Sequence, residues 1–278
     1  MEPLVSTAWL AEHVQDPSLR VADVRWHLAA PEKGRAQYAA GHIPGAVFFD
    51  LERDLAAPGG RPGGPRGRHP WPDEDQVARV MGAAGIDAGT TVVAYDDLGG
   101  AIAARLWYLL LAHGHEAVAV LDGGIAKWTA EGRPLETDVP PVAPRTFSGA
   151  LRPGFVVTKE ELQAPPARLV FDARAPERFR GESESIDPRA GHVPGARNAP
   201  FAANLTPEAT PVFRAPEELR AHYAALGALG TEPVVYCGSG VTACHDLLAL
   251  RRAGLNGRLY AGSWSEWSSH PDLPIEKG

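Results

Sequence analysis

The sequence contains very little cysteine: two residues, Cys237 and Cys244, in a chain of 278. So few thiols in a chain of this size make a disulfide framework implausible as the basis of the fold. Two thiols without clustered histidines also make a poor zinc site. The cysteine content therefore indicates either one reactive thiol or two inert ones.

Long apolar runs and an excess of basic residues are also missing. No run of about 18 apolar residues occurs, so no transmembrane helix is predicted. The segment from Met1 to Leu4 lacks the basic and apolar stretches of a signal peptide, and we expect a cytoplasmic protein. The formal net charge of −7 does not suggest the basic patch that nucleic acid binding needs. We expect neither a membrane nor a nucleic acid partner.

What the sequence does contain is an internal repeat. Residues 41–46 and 191–196 both read Gly-His-(Ile or Val)-Pro-Gly-Ala. Three further pairs of similar segments lie on either side in the same order: 23–25 with 172–174, 92–96 with 233–237, and 122–128 with 261–267. The repeated unit is far longer than the roughly 20–50 residues of a solenoid repeat, so it is a whole domain.

The repeat predicts the domain organisation. We place an N-terminal domain at residues 1–140 and a C-terminal domain at residues 155–278. The proline-containing stretch at 141–154 has the composition of an extended, semi-rigid linker.

Short apolar runs alternate with helical patterns in each half. The predicted strands are 20–24, 91–95, 169–172 and 234–236, and helices at 102–112 and 241–253 follow two of them. Such alternation predicts an α/β fold, with a mostly parallel central sheet flanked by helices in each domain. Ligands of such sheets bind beyond the carboxyl ends of the strands, and Cys237 falls at such an end.

The loop after Cys237 is suited to an anionic sulfur. Backbone N–H groups at the start of the following helix have no intrahelical acceptor, and the helix dipole adds positive potential. We expect Gly238 and Gly240 to adopt positive φ and turn these N–H groups inward. The alternative is an unreactive cysteine that ends a buried strand. Cys244, on the predicted helix, is interpreted as a buried packing residue, and a redox partner of Cys237 is the alternative.

The same loop disfavours a phosphatase. Tyrosine-phosphatase-like cysteine enzymes place an arginine six positions after the nucleophile, where it binds phosphate. That position is Ala243 in this chain. Phosphatase or arsenate reductase chemistry is therefore disfavoured.

Three motifs together resemble the tandem-domain sulfurtransferases of the rhodanese type. They are the loop 237–243, the two Gly-His-x-Pro-Gly-Ala segments and the closing Gly-Ser-Trp-Ser-Glu-Trp at 262–267. The resemblance runs from about Val5 to Ile275 and implies two rhodanese-like domains that need no cofactor or metal. It also implies a sulfur carried as a persulfide on Cys237. The N-terminal domain is then non-catalytic, since Asp96 stands at the position matching Cys237.

The resemblance also suggests the sulfur donor. Thiosulfate enzymes of this family typically carry Arg-Lys after the cysteine, whereas this chain has Gly238-Ser239, as in the 3-mercaptopyruvate group. We expect sulfur transfer from 3-mercaptopyruvate to a thiol or cyanide, with a thioredoxin-like reductant as a further candidate partner. The alternatives are a thiosulfate:cyanide sulfurtransferase and a non-catalytic sulfur carrier or interaction protein.

Further site residues follow from the resemblance. Arg178 matches the family's substrate-binding arginine, whose planar fork suits a carboxylate. The second arginine of many mercaptopyruvate enzymes has no clear match, and Arg189 is the candidate. The loop residues Gly238, Gly240, Val241 and Thr242 are assigned to substrate binding. A proposed relay that activates the substrate would consist of Ser239, His69 and Glu52.

Two features have competing interpretations. The segment 58–72 is rich in glycine, proline and arginine, and is either a surface loop or a loop that reaches over the site of the other domain. His42 and His192 could be catalytic. Because the half without a nucleophile keeps its histidine, we assign both a structural role. Trp128 and Trp267 also recur and are predicted to lie in the core.

Overall fold

The computed structural model describes residues 1–164 and 168–278, which form two compact units. The first unit consists of Met1–Leu55, Pro72–Arg152 and Pro207–Phe213. The second consists of Ala56–Trp71, Pro153–Thr206 and Arg214–Gly278. Within these residues, no helix combines the length and apolar character needed to cross a membrane.

The first unit contains a five-stranded parallel sheet. Its strands are β1 (Leu4–Val5), β2 (Leu19–Asp23), β3 (Val47–Phe48), β4 (Thr91–Tyr95) and β5 (Val118–Leu121), in the order β1-β5-β4-β2-β3. Its helices are α1 (Thr7–His13), α2 (Lys33–Ala40), α3 (Glu74–Ala83), α4 (Ala103–Ala112) and α5 (Gly124–Ala130). Helices on both faces account for the almost continuous burial of the central strands β2 and β4.

The second unit repeats this sheet. Its strands are β6 (Val156–Val157), β7 (Val170–Asp172), β8 (Arg197–Asn198), β9 (Val234–Tyr236) and β10 (Arg258–Tyr260), in the order β6-β10-β9-β7-β8. Its helices are α6 (Lys159–Gln163), α7 (Pro176–Phe179), a 3-10 turn (Phe201–Asn204), α8 (Pro216–Ala225), α9 (Thr242–Arg252) and α10 (Ser263–Trp267). All pairings are parallel, so the predicted α/β fold is confirmed.

A buried ion pair recurs in the two sheets and explains one repeated motif. Arg174 donates to the Asp172 carboxylate at 2.6 Å and to the carbonyl of Gly191 at 2.7 Å. Arg25 makes the matching bonds to Asp23 and to the carbonyl of Gly41. Both pairs are almost fully buried, so the arginine ties the end of a central strand to the Gly-His segment.

The two repeated histidines are structural. His42 is fully buried, and its ring stacks on Tyr38 with centroids 3.9 Å apart. His192 stacks in the same way on Phe179 at 3.7 Å. In each case Nδ1 lies within hydrogen-bond distance of a backbone carbonyl, which agrees with the structural role predicted for both.

The remaining repeated residues lie in the cores. Trp128 and Trp267 are buried, each donating its indole N–H to a proline carbonyl. Cys244 is fully buried on α9, and its thiol donates to the carbonyl of Gly240. It is therefore a packing residue, as predicted.

Candidate active site

Cys237 lies between the end of β9 and the start of α9. Its side chain is almost completely buried, with 2% of the residue exposed. The backbone N–H of Gly240 donates to Sγ at 3.1 Å. Val241 caps α9 and Thr242 is its first residue, so the loop delivers the sulfur to a helix N-terminus, where an anion is stabilised.

The first turn of α10 holds the cysteine loop from its other side. The N–H of Cys237 donates to the hydroxyl of Ser263 at 3.1 Å. Trp264 N–H donates to the Cys237 carbonyl at 3.0 Å, and Ser265 N–H to the Gly238 carbonyl at 2.9 Å. These three bonds fix the backbone on which the thiol is carried, and they explain why the closing motif at 262–267 accompanies the cysteine loop.

The two glycines of the loop serve different purposes. Gly240 adopts φ +74°, and a methyl group there would lie 2.4 Å from the carbonyl oxygen of Ala261. Gly238 has no positive φ, so the expectation of a left-handed backbone is wrong at this position. A methyl group at position 238 would instead meet two arginine side chains. Glycine is favoured there because it leaves space for them.

In the first unit, the loop that matches the cysteine loop surrounds the side chain of Asp96. The Asp96 carboxylate is fully buried and accepts four backbone N–H groups, from Leu98, Gly100, Ile102 and Ala103, at 2.7–2.8 Å. Burial raises the pKa of Asp96, and the four N–H donors oppose that shift. A loop of this shape therefore collects N–H groups around the side chain at the cysteine position.

The glycine-rich and arginine-rich loop belongs to the second unit, because residues 56–71 pack with it. The N–H of Arg68 donates to the Ser265 hydroxyl at 3.1 Å. His69 Nδ1 lies 2.8 Å from the Ser239 hydroxyl, with both residues buried. Of the two interpretations of this loop, the structure favours the one in which it covers the cysteine loop.

Glu52, the third predicted member of the relay, belongs to the first unit. Its own N–H donates to the Asp50 carboxylate at 2.9 Å. Burial, together with the nearby carboxylates of Asp50 and Glu32, raises the pKa of Glu52. The structure therefore pairs His69 with Ser239 and leaves the role of Glu52 a prediction.

Arg178 lies on α7 and makes two ion pairs within its own unit. Its Nη2 donates to the Glu184 carboxylate at 2.8 Å and to Asp187 Oδ2 at 3.2 Å. Burial disfavours the charged form of Glu184, but the N–H of Asp187 and the Arg178 guanidinium outweigh it and lower its pKa. Nη1 of Arg178 faces the cysteine loop, 3.4 Å from where a methyl group of residue 238 would lie.

Arg68 reaches the same place from the loop at 56–71. Its Nη1 donates to Asp187 Oδ1, and both side chains are buried. Its Nη2 would lie 2.6 Å from a methyl group at Gly238. The sequence showed Arg68 only as one of several loop arginines, and nothing local distinguished it from Arg61 or Arg66.

Arg189 has a different environment. Its guanidinium donates to the backbone carbonyls of four residues near the C-terminus: Trp267, Ser268, His270 and Leu273. Its own carbonyl accepts the indole N–H of Trp264. These contacts use four of the five guanidinium N–H groups to hold the C-terminal segment, an arrangement that does not favour substrate binding.

Comparisons with known proteins find similar sequences over nearly the whole chain. The model of the rhodanese-like domain matches residues 6–131 and 157–270. A probable 3-mercaptopyruvate sulfurtransferase of Pseudomonas aeruginosa is 45% identical, over 99% of this chain and 98% of the relative. A thiosulfate sulfurtransferase of Bos taurus is 37% identical, over 99% and 95%.

Solved structures give the same result. A 3-mercaptopyruvate sulfurtransferase from Leishmania major superposes with a TM-score of 0.85 at 29% identity, over 99% of this chain and 76% of that chain. An Escherichia coli protein described as a 3-mercaptopyruvate sulfotransferase with the rhodanese fold has a TM-score of 0.79 at 33% identity, over 95% and 99%.

Proposed function

Because the chain belongs to the rhodanese family, we propose that it transfers a sulfane sulfur from 3-mercaptopyruvate to a thiol or cyanide through a persulfide on Cys237. Relatives over nearly its whole length are sulfurtransferases, and the chain is a sulfurtransferase. The observation that carries the proposed mechanism is the loop itself, where Gly240 donates to the buried Sγ of Cys237.

In the first half-reaction the Cys237 thiolate attacks the sulfur of 3-mercaptopyruvate. An S–S bond forms, the C–S bond breaks, and its electron pair stays on the methylene carbon as the enolate of pyruvate. A proton then converts the enolate to pyruvate and leaves the persulfide on Cys237. Charge passes from the thiolate to the carbonyl oxygen of the leaving group. Donors near that oxygen therefore stabilise the transition state, whereas donors near Sγ keep the thiol ionised before the attack.

The surrounding residues divide these tasks. The Gly240 N–H and the start of α9 stabilise the anionic sulfur. Ser239, with His69 at 2.8 Å, provides a hydroxyl and imidazole pair that can hydrogen-bond the developing enolate oxygen and deliver a proton. Arg178 binds the carboxylate of the donor.

In the second half-reaction an acceptor removes the outer sulfur. A thiolate attacks it and gives a new persulfide, whereas cyanide gives thiocyanate; in both cases the Cys237 thiolate is regenerated. The two steps share one covalent intermediate, so ping-pong kinetics are expected. A thioredoxin-like reductant and a cytoplasmic location stay predictions from the sequence.

The proposal predicts a sulfur-loaded cysteine. Exposure to 3-mercaptopyruvate should add one sulfur atom to the intact protein, and cyanide should remove it as thiocyanate, because cyanide attacks the outer sulfur of a persulfide. Cys237→Ser should abolish the mass gain, whereas Cys244→Ala, which removes the buried packing thiol, should keep it. Intact-mass spectrometry and peptide mapping check this. A loaded Cys237→Ser variant would contradict the assignment of the sulfur to Cys237, and an unloaded wild-type protein would favour a non-catalytic scaffold.

Thiosulfate is the second candidate donor, and one observation favours it: two guanidinium groups approach Gly238, although the loop itself has no cation. However, Glu184 and Asp187 pair with these arginines, so the four side chains carry no net charge when both carboxylates are ionised. Such a neutral cluster suits a monocarboxylate better than a dianion. We therefore expect a higher kcat/KM for 3-mercaptopyruvate in a side-by-side steady-state assay, and equal or better values for thiosulfate would reverse the assignment.

A further inference from the structure

Two arginines from distant parts of the sequence converge on Gly238. Arg68 comes from the loop at 56–71, and Arg178 comes from α7 of the same compact unit. A methyl group at Gly238 would lie 2.6 Å from Nη2 of Arg68 and 3.4 Å from Nη1 of Arg178. The absence of a side chain at position 238 therefore leaves the space beside the cysteine loop to two guanidinium groups.

One buried carboxylate fixes the relative position of this pair. Asp187 accepts from Arg68 through Oδ1 and from Arg178 through Oδ2, and its side chain is fully buried. Glu184 binds the second arginine and accepts the N–H of Asp187 at 3.0 Å. Both guanidinium groups are thus held by the segment 184–187, each with its other terminal nitrogen next to Gly238.

Each arginine also has an unused donor. Nε of Arg68 and Nε of Arg178 are buried and donate to no acceptor in the part of the chain that the structure describes. Buried guanidinium N–H groups without an acceptor are costly, since each loses its bond to water. The two arginines whose terminal nitrogens lie beside Gly238 therefore keep N–H groups that the described protein groups do not satisfy.

We propose that Arg68 is the second donor-binding arginine, that it forms with Arg178 a clamp for the carboxylate of the donor, and that Asp187 is its positioning residue. The identity of the donor rests on the function proposed above. Arg189, the candidate from the sequence, is held by four backbone carbonyls, whereas Arg68 lies beside the cysteine loop. The clamp therefore joins residues that are distant in sequence.

The experiment compares two arginines of one loop. Arg68→Gln removes the buried guanidinium, and Arg66→Gln removes the same charge from an exposed side chain as a matched control. Arg68→Gln should raise KM for 3-mercaptopyruvate about tenfold or more, the size expected for a lost hydrogen bond to a charged group. Arg66→Gln should stay within about twofold, as is usual for exposed charges. Equal KM values for the two variants would overturn the proposal.

A binding measurement separates this proposal from the proposed function. Pyruvate serves as a carboxylate probe, titrated calorimetrically into the Cys237→Ser protein with and without Arg68→Gln. We expect the second substitution to weaken binding about tenfold or more, even if no donor is turned over. If wild-type protein forms no persulfide, the proposed function fails. If pyruvate binds equally with and without Arg68, the clamp fails.

Gly238→Ala provides a second variant in case Arg68→Gln does not fold. The added methyl group meets the end of a flexible side chain, and the backbone φ of Gly238 needs no glycine. The variant should therefore fold, displace the Arg68 guanidinium and raise KM for 3-mercaptopyruvate in the same direction. An unchanged KM in a folded Gly238→Ala protein would count against the clamp.

Discussion

Ser263 has a backbone conformation that serine rarely adopts. Within the described residues it is the sole non-glycine residue at positive φ, at +55°. In the first half, Gly124 occupies the matching position with a φ of +54°, so glycine is sufficient to form this turn. A side chain in this region costs about 1–3 kcal/mol. The buried hydroxyl, which accepts the N–H of Cys237 and donates to the Tyr260 carbonyl, is what a glycine could not provide.

Replacing this serine should slow the chemistry without affecting donor binding. Ser263→Gly relieves the backbone but leaves the buried N–H of Cys237 without its acceptor, so the cysteine loop loses one of its constraints. We expect kcat for sulfur transfer to fall about tenfold, the equivalent of one lost buried hydrogen bond. KM for the donor should change little, since both arginines of the clamp are untouched. Steady-state kinetics with both parameters resolved checks this.

Ser263→Ala separates the hydroxyl from the strain. It removes the same acceptor but keeps the unfavourable φ, so urea unfolding should show it to be less stable than Ser263→Gly. A glycine variant with wild-type kcat would mean that the hydroxyl does not position the nucleophile.

At the scale of the element, the sequence predicted the strands β2, β4, β7 and β9 well. The predicted runs at 91–95 and 234–236 coincide with β4 and β9, and the other predicted ends lie within one residue of the structure. The two-residue strands β1, β3, β6 and β8 were not predicted, because so short a segment has no hydrophobic period. The longer strands β5 and β10 were missed as well. The positions of the two-residue strands are set by pairing with their neighbours in each sheet, which are β5, β2, β10 and β7.

The cysteine loop was predictable and its neighbours were not. A cysteine between a strand and a helix, followed by glycines, is a local pattern, and the structure has it where the sequence placed it. Arg68 and Asp187 meet across 119 positions of sequence, and a pairing of that separation leaves no local signal. The same holds for the bond between Ser263 and Cys237, since serine is common and its φ is a property of the fold.

The loop around Asp96 allows a test of how much the acceptor at its centre contributes to the stability of the fold. Asp96→Asn replaces one carboxylate oxygen by an NH2 group, so two of the four converging N–H groups would face a donor. We expect the free energy of unfolding to fall by about 2 kcal/mol or more. Urea titration beside Asp138→Asn, which removes the same charge from an exposed position, measures it. Equal stability of the two variants would show that the loop relaxes around the amide.

At the scale of the molecule, the repeat predicted two domains, and the fold has two sheets with the same strand order. It did not predict that each compact unit includes a segment from the other half of the sequence. Residues 56–71 belong to the second unit, and residues 207–213 to the first. Phe213, for example, donates its N–H to Asp122 at 2.9 Å. Sequence similarity traces the duplicated core, whereas these segments have no counterpart in the repeat.

The exchange of segments between the two units makes the two halves of the chain depend on each other. The first half of the chain has an aspartate in place of the nucleophile. It nevertheless contains His69 and Arg68, which lie against the cysteine loop. A deletion of the first half would remove both residues together with the first sheet. Because residues 56–71 belong to the second unit, the first half of the sequence cannot be removed without removing part of the unit that carries Cys237.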